Sequence, residues 1–123
     1  MNGDRLDQWT DRLLRYVRSG LPDLTNRQMA MVLLIYRTDG PHTVRGMAKV
    51  LAVTKPVVTR ALTTLCKLGL ARREIDTTDR RSLYIRPTET GTAFLGNLDG
   101  MTGPAPNGGD IRLAIGSNGK GRS

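Results

Sequence analysis

The apolar positions of this chain are spaced for helices along most of its length. In residues 5–17 they recur at intervals of three and four, which predicts an amphipathic first helix. The run Met29–Tyr36 is apolar on nearly every side and is therefore typical of a buried second helix. Thr25 and Gln28 form a capping-box pattern ahead of this run, which indicates where the second helix begins.

Two shorter helices are predicted next. Thr43 is a typical N-cap for a third helix that ends at Leu51, and a fourth helix is expected from about Lys55 to Leu68. Gly69 suits the left-handed conformation that commonly follows a helix. Two short helices around a tight turn are typical of a helix-turn-helix.

Alternating polar and apolar positions follow the fourth helix. Residues 70–76 and 82–86 alternate in this way on either side of a charged loop, which predicts a β-hairpin. A last helix is expected over residues 88–98. Residues 99–123 are rich in Gly, Pro, Asn and Ser, a composition that predicts a disordered tail. The fold class is therefore mainly α with a small β-hairpin wing, a winged helix-turn-helix.

Charge concentrates in the middle of the chain. The net charge is +8, and residues 37–86 hold eleven basic and four acidic residues, a balance of +7. A cationic unit of this kind favours a polyanionic partner. The single cysteine, Cys66, excludes an internal disulfide and fits a cytoplasmic protein. The longest apolar run is too short for a membrane span, and no signal peptide is visible.

The predicted fourth helix has two chemically different faces. Ala48 is small enough for the two short helices to cross, and Ala52 stands where the turn often has glycine, so a slightly different turn is expected. The apolar positions predicted to face the core are Met47, Leu51, Val53, Val58, Ala61 and Leu62. The outward positions, which we predict to contact DNA, are Thr54, Lys55, Pro56, Thr59, Arg60, Thr63 and Lys67. Because this outward face carries hydroxyls and cations but no acid, it suits the major groove.

The hairpin loop supplies a second signal. Arg80 and Arg81 at a narrow tip could enter the minor groove, with Asp76 or Asp79 orienting an arginine through a charge-assisted hydrogen bond. Thr43, Arg45 and Arg73 are further candidates for phosphate contacts.

Residues 21–98 resemble the MarR-type winged-helix transcriptional regulators. The resemblance rests on the order of helices, on Asp79-Arg80-Arg81 before a strand, and on the Thr-x-x-Gly sequence Thr88–Gly91. It implies that Arg81 enters the minor groove with Asp79 as its partner, and that Arg80 contacts phosphate. It also implies a homodimeric repressor of palindromic sites that responds to a small ligand or to oxidation.

We therefore assign residues 1–20 to a dimerisation helix, residues 21–98 to a DNA-binding domain and residues 99–123 to the tail. The last helix of the family has no counterpart, so the expected dimer contact comprises Leu6, Trp9, Leu13, Tyr16, Phe94 and Leu98. The expected partners are double-stranded DNA and a second copy, with an unidentified small-molecule effector and no membrane. No cofactor, metal or catalytic group is expected, because no phosphate loop, metal cluster or nucleophile–base pair is visible. The alternative is a winged-helix adaptor whose tail docks on a partner protein.

Overall fold

The computed structural model describes residues 2–78 and 83–101. In chain order its elements are α1 (Asn2–Arg18), α2 (Asn26–Arg37), β1 (His42–Thr43), α3 (Val44–Leu51), α4 (Lys55–Lys67), β2 (Arg72–Ile75), β3 (Leu83–Arg86) and α5 (Glu89–Gly100). The predicted fold class, mainly α with a small β-hairpin, is confirmed. By its contacts the chain divides into two units, one of Pro22–Gly96 and one of Met1–Leu21 with Asn97–Ser123.

Threonine caps begin α2 and α3 at the predicted places. The hydroxyl of Thr25 accepts from the backbone N–H of Gln28 at 3.1 Å, and the Gln28 side chain accepts from the backbone N–H of Thr25 at 2.9 Å. The capping box is therefore complete. The hydroxyl of Thr43 accepts from the backbone N–H of Gly46 at 2.9 Å and caps α3 in the same way.

The core of the larger unit is built around α4, which packs on both α2 and α3, while α3 packs on β1 and β3. Its largest fully buried side chains are Met31, Val32, Val58, Leu62, Leu65, Leu70 and Ile85. Although α2 is apolar on nearly all sides, Leu33 is exposed, so one face of this helix is left uncovered by the described residues.

The sheet has three antiparallel strands in the order β1-β3-β2. The strand β1 was missed by the sequence analysis, because two residues are too few to show alternation. His42 pairs with Ile85 and Thr43 with Tyr84. The strand β2 is shorter than predicted: Leu70 and Ala71 are buried, but they lie ahead of its first paired residue, Arg72.

The turn between α3 and α4 keeps the left-handed conformation that glycine usually supplies. Ala52 has φ 57° and ψ 45° and is the only non-glycine residue with positive φ in the described part of the chain. The expectation of a different turn was wrong, and alanine is instead held in a region that costs an L-residue roughly 1–2 kcal/mol.

Replacing Ala52 with glycine should therefore stabilise the fold. The expected gain is about 1 kcal/mol, since relief of the left-handed strain outweighs the added flexibility of glycine in the unfolded chain. Thermal unfolding should shift upward by several degrees. Gly69→Ala is the reciprocal control: Gly69 also has positive φ (78°), and its nearest neighbour to an added Cβ is 3.6 Å away, so only the backbone opposes alanine there. A lower midpoint for Ala52→Gly would contradict this account.

The terminal helices extend further than predicted. Helix α1 covers Asn2–Arg18, and α5 continues through Gly100, two residues into the segment assigned to the tail. Within α1, Arg15 forms an ion pair with Asp11 at 2.7 Å. Residues 102–123, where the rest of the predicted tail falls, lie outside the described residues.

The residues expected at a dimer contact differ in their exposure. Leu6, Trp9 and Leu13 are exposed on α1, Leu98 is half-buried, and Tyr16 and Phe94 are buried. The role of all six residues in a contact between copies stays a prediction. Among the described helices, none combines the length and the hydropathy that crossing a bilayer requires.

Candidate nucleic-acid interface

The two faces of α4 are separated as the sequence predicts. Val58, Ala61, Leu62 and Leu65 are buried on one side. Of the outward positions, Thr54, Lys55, Pro56, Thr59, Arg60 and Lys67 are exposed, and Thr63 is half-buried. Together these seven residues form what we call the α4 face. In the preceding helix and turn, Met47 and Ala48 are buried as expected, whereas Leu51 and Val53 are only half-buried.

The surface of the helix-turn-helix is cationic. Helices α3 and α4 together carry five basic residues and no Asp or Glu. All five of these side chains are exposed: Arg45, Lys49, Lys55, Arg60 and Lys67. A surface with cations, hydroxyls and no carboxylate can approach a polyanion without placing a negative side chain against a phosphate.

The N-terminus of α4 differs from those of α2 and α3. Thr54 is its N-cap residue, but the Thr54 hydroxyl makes no capping hydrogen bond, whereas Thr25 and Thr43 both cap through theirs. Pro56 lies in the first turn, where its missing N–H removes no helical hydrogen bond. The first turn thus presents an exposed hydroxyl beside the positive end of the helix dipole and the ammonium of Lys55.

A side chain from the hairpin reaches the α4 face. The guanidinium of Arg73, on β2, donates to the hydroxyl of Thr63 at 2.8 Å. That hydroxyl in turn donates to the carbonyl of Thr59, one turn earlier, at 2.9 Å. The structure therefore brings together Thr59 and Thr63, predicted on the outward side of α4, and Arg73, predicted to contact phosphate.

The other two candidates for phosphate contacts, Thr43 and Arg45, lie at the start of α3. Thr43 is half-buried and its hydroxyl serves as a helix cap, while Arg45 is exposed. Both are on the same helix-turn-helix unit as the α4 face.

The described part of the wing is organised around carboxylates. Asp76 accepts from the backbone N–H and the hydroxyl of Thr78 at 2.9 and 2.8 Å, and from the Tyr84 hydroxyl at 3.1 Å. Arg86 forms an ion pair with Glu74 across the hairpin. The pKa of the Glu74 carboxyl is lowered from its ordinary value, mainly by the hydrogen bond from Arg86 and secondly by the positive charge of Arg86. The pair therefore stays ionised as the pH falls toward the usual range of a glutamate.

The wing residues assigned through the resemblance, Asp79, Arg80 and Arg81, lie outside the described residues, and their roles stay predictions. Asp76 is described, and its observed partners are Thr78 and Tyr84. Its predicted role of orienting an arginine also stays a prediction.

The Thr-x-x-Gly sequence at the start of α5 has a clear structural cause. The Thr88 hydroxyl donates to the carbonyl of Gly69 at 2.5 Å and accepts from the backbone N–H of Gly91 at 2.9 Å, which caps α5. Gly91 leaves room for the Tyr36 hydroxyl, which donates to the carbonyl of Leu70 at 2.7 Å and accepts from the backbone N–H of Thr88 at 3.0 Å. This cluster joins α2, the end of α4 and α5 where the hairpin begins.

Sequence reasoning missed Tyr36 and Tyr84 as organising residues. In a hairpin, alternate residues of each strand share one face, and Tyr84 falls on the same face as Glu74 and Asp76. This alternation could have indicated the role of Tyr84. No sequence signal pairs Tyr36 with Gly91, fifty-five positions apart.

The fold and the α4 face define this chain as a winged-helix protein with a cationic helix-turn-helix surface. The sequence model described as MarR family matches residues 22–82, and no curated protein sequence matches the chain. A mutant of MepR from S. aureus is 25% identical with a TM-score of 0.64, over 82% of this chain and 70% of that one. The crystal structure of MarR is 25% identical with a TM-score of 0.63, over 79% of this chain and 70% of that one.

A third similar structure is the transcriptional regulator Tm0710 from Thermotoga maritima, 21% identical with a TM-score of 0.67, over 82% of this chain and 68% of that one. Through its winged-helix domain, the chain belongs to the MarR family of transcriptional regulators. This membership places it among regulators and not among enzymes.

Proposed function

We propose that this protein is a homodimeric repressor that binds specific sites in double-stranded DNA in the cytoplasm. Helix α4 enters the major groove, and the wing, about residues 76–82, enters the adjacent minor groove. The observation that carries the proposal is the α4 face, which is exposed, cationic, rich in hydroxyls and free of carboxylates.

Base contacts fall to the middle of the α4 face. Arg60 can donate two parallel hydrogen bonds to a guanine edge, and the exposed Thr59 offers a hydroxyl and a methyl group for hydrogen-bonding or apolar contact with a neighbouring base. Both side chains are exposed and belong to a helix that is fixed by its buried face, so they are presented on a rigid support. Lys67, about two helical turns after Arg60, extends the face toward the backbone.

Phosphate contacts fall to the two ends of the helix-turn-helix. The hydroxyl of Thr54, which makes no capping hydrogen bond, and the first turn of α4 offer donors to one phosphate. Arg45 at the start of α3 offers a positive charge to another. Arg73 is held against Thr63 and can contact the backbone beside the groove. Such contacts set the register of the protein on the duplex and add affinity at any sequence.

The wing contribution follows the family resemblance, in which Arg81 enters the minor groove, Asp79 orients it and Arg80 contacts phosphate. Repression also follows from that resemblance. The palindromic site does too, because a two-fold dimer presents two α4 faces to two half-sites.

Arg60→Ala tests this proposal directly. The duplex is first selected from a random pool, and affinity is then measured by fluorescence anisotropy for that duplex and for a scrambled one at several salt concentrations. We expect Arg60→Ala to weaken specific binding by about 1–3 kcal/mol, or roughly 5- to 150-fold, and non-specific binding far less. Arg27→Ala is the matched control, because it removes the same charge from an exposed site on α2 outside the helix-turn-helix. Equal affinity of the wild type for every duplex, at every salt concentration, would refute sequence-specific recognition.

A further inference from the structure

The outward-facing side of the hairpin carries a continuous set of interacting polar side chains. In the register of β2 and β3, Glu74 is directly opposite Tyr84, and Arg72 is opposite Arg86. Because alternate residues share a face, Glu74 and Asp76 lie on the same side of the hairpin as Tyr84 and Arg86. The intervening positions belong to the other side, where Ile85 is buried and Arg73 reaches α4.

The contacts on this face run from the base of the hairpin to its turn. The Arg86 guanidinium bonds to Glu74 and lies over the Tyr84 ring, with its central carbon 4.9 Å from the ring centre. The Tyr84 hydroxyl donates to one oxygen of Asp76, and the other oxygen accepts both donors of Thr78. Each residue in this series therefore holds the next one.

Individually these surface contacts contribute little, since exposed ion pairs and cation–π contacts are each weak. Their arrangement matters more, because a tyrosine has only two side-chain torsions and both ends of Tyr84 are held. The hydroxyl fixes the orientation of the Asp76 carboxylate, and that carboxylate closes the turn at Thr77 and Thr78 through an Asx-type hydrogen bond.

We infer that Tyr84 is a positioning residue for DNA binding: its hydroxyl fixes Asp76 and thereby holds the Thr77–Thr78 turn of the wing in one conformation before DNA arrives. A preformed turn lowers the ordering cost that binding would otherwise include. This inference rests on the proposed function, in which the wing contacts DNA. It assigns Tyr84 a part in recognition without any contact to the nucleic acid.

Tyr84→Phe removes only the hydroxyl and keeps both the ring beneath Arg86 and the strand. We expect the Thr78 amide to exchange with solvent several-fold faster in the free protein, measured by NMR, and affinity for the selected duplex to fall about three- to tenfold, the effect of one lost hydrogen bond. The unfolding midpoint should stay close to that of the wild type. Thr92→Val is the control, because it deletes a hydroxyl from an exposed position on α5, where the Thr92 hydroxyl donates to the carbonyl of Thr88.

A double mutant separates positioning from a direct contact. If Tyr84 acts through Asp76, then Tyr84→Phe should have no further effect on DNA affinity in an Asp76→Ala background. An equal loss in both backgrounds would overturn the inference, as would unchanged Thr78 exchange or unchanged affinity in the single mutant. Absence of DNA binding by the wild type would instead refute the proposed function, and the exchange rate of Thr78 would still report whether Tyr84 holds the turn.

Discussion

Gly91→Ala is expected to destabilise the winged-helix domain by about 3–5 kcal/mol, which is a large share of the stability of a small domain. A Cβ at this position would lie 1.6 Å from the Tyr36 hydroxyl oxygen and 2.9 Å from the carbonyl oxygen of Leu70. Neither distance is tolerable, and the second neighbour is backbone. Alanine can therefore fit only if Tyr36 leaves its place.

Moving Tyr36 is costly because its hydroxyl has two partners. It donates to the Leu70 carbonyl and accepts from the backbone N–H of Thr88. Leaving such partly buried backbone groups without partners costs about 1–3 kcal/mol, and overpacking adds about 1–3 kcal/mol more. The total should appear as a lower urea midpoint with an unchanged slope if unfolding stays two-state.

The same helix supplies a control for this substitution. Gly96 lies five residues further along α5, and an added Cβ there would meet nothing within 4 Å. Gly96→Ala should therefore be neutral or stabilise by up to about 1 kcal/mol, as alanine does in an open helical position. A wild-type midpoint for Gly91→Ala would show that Tyr36 can be displaced without cost, which the geometry does not support.

The helices were predictable because their signals are local. The capping residues Thr25 and Thr43 lie three positions from their hydrogen-bond partners, and the left-handed Gly69 directly follows the C-cap of α4. The α4 face was equally predictable, since a helical period divides buried from exposed positions once the helix is known.

Contacts between distant segments could not be obtained in this way. The strand β1 exists only because β3 lies beside it, and Arg73 meets Thr63 only because the hairpin folds back toward α4. Ala52 adopts a left-handed conformation that its own propensity disfavours, because the packing of α3 on α4 determines the turn. In each case a tertiary contact overrides or adds to what the local sequence indicates.

Trp9→Asp is expected to dissociate the proposed homodimer. Four large apolar side chains of α1 are strongly exposed in the single chain: Leu6 at 65%, Trp9 at 57%, Leu13 at 47% and Val17 at 70%. They recur at spacings of three and four and therefore share one side of the helix. A contiguous apolar surface of this kind is unusual on a protein that acts as a monomer, which favours a contact with a second copy.

Trp9 is the side chain with the largest expected contribution, since tryptophan is enriched among the residues that dominate binding energy. In a two-fold contact each substitution occurs twice, so a loss of about 2 kcal/mol per copy amounts to about 4 kcal/mol, or on the order of a thousandfold in the dissociation constant of the dimer. Sedimentation equilibrium should then detect monomers at concentrations where the wild type is dimeric. Binding to a DNA with two half-sites should weaken in parallel, while the unfolding midpoint of the winged-helix domain is retained.

Gln8→Asp introduces the same charge next in sequence but on another side of α1, and it should leave the dimer intact. A dimer that survives Trp9→Asp would place the contact elsewhere than on α1.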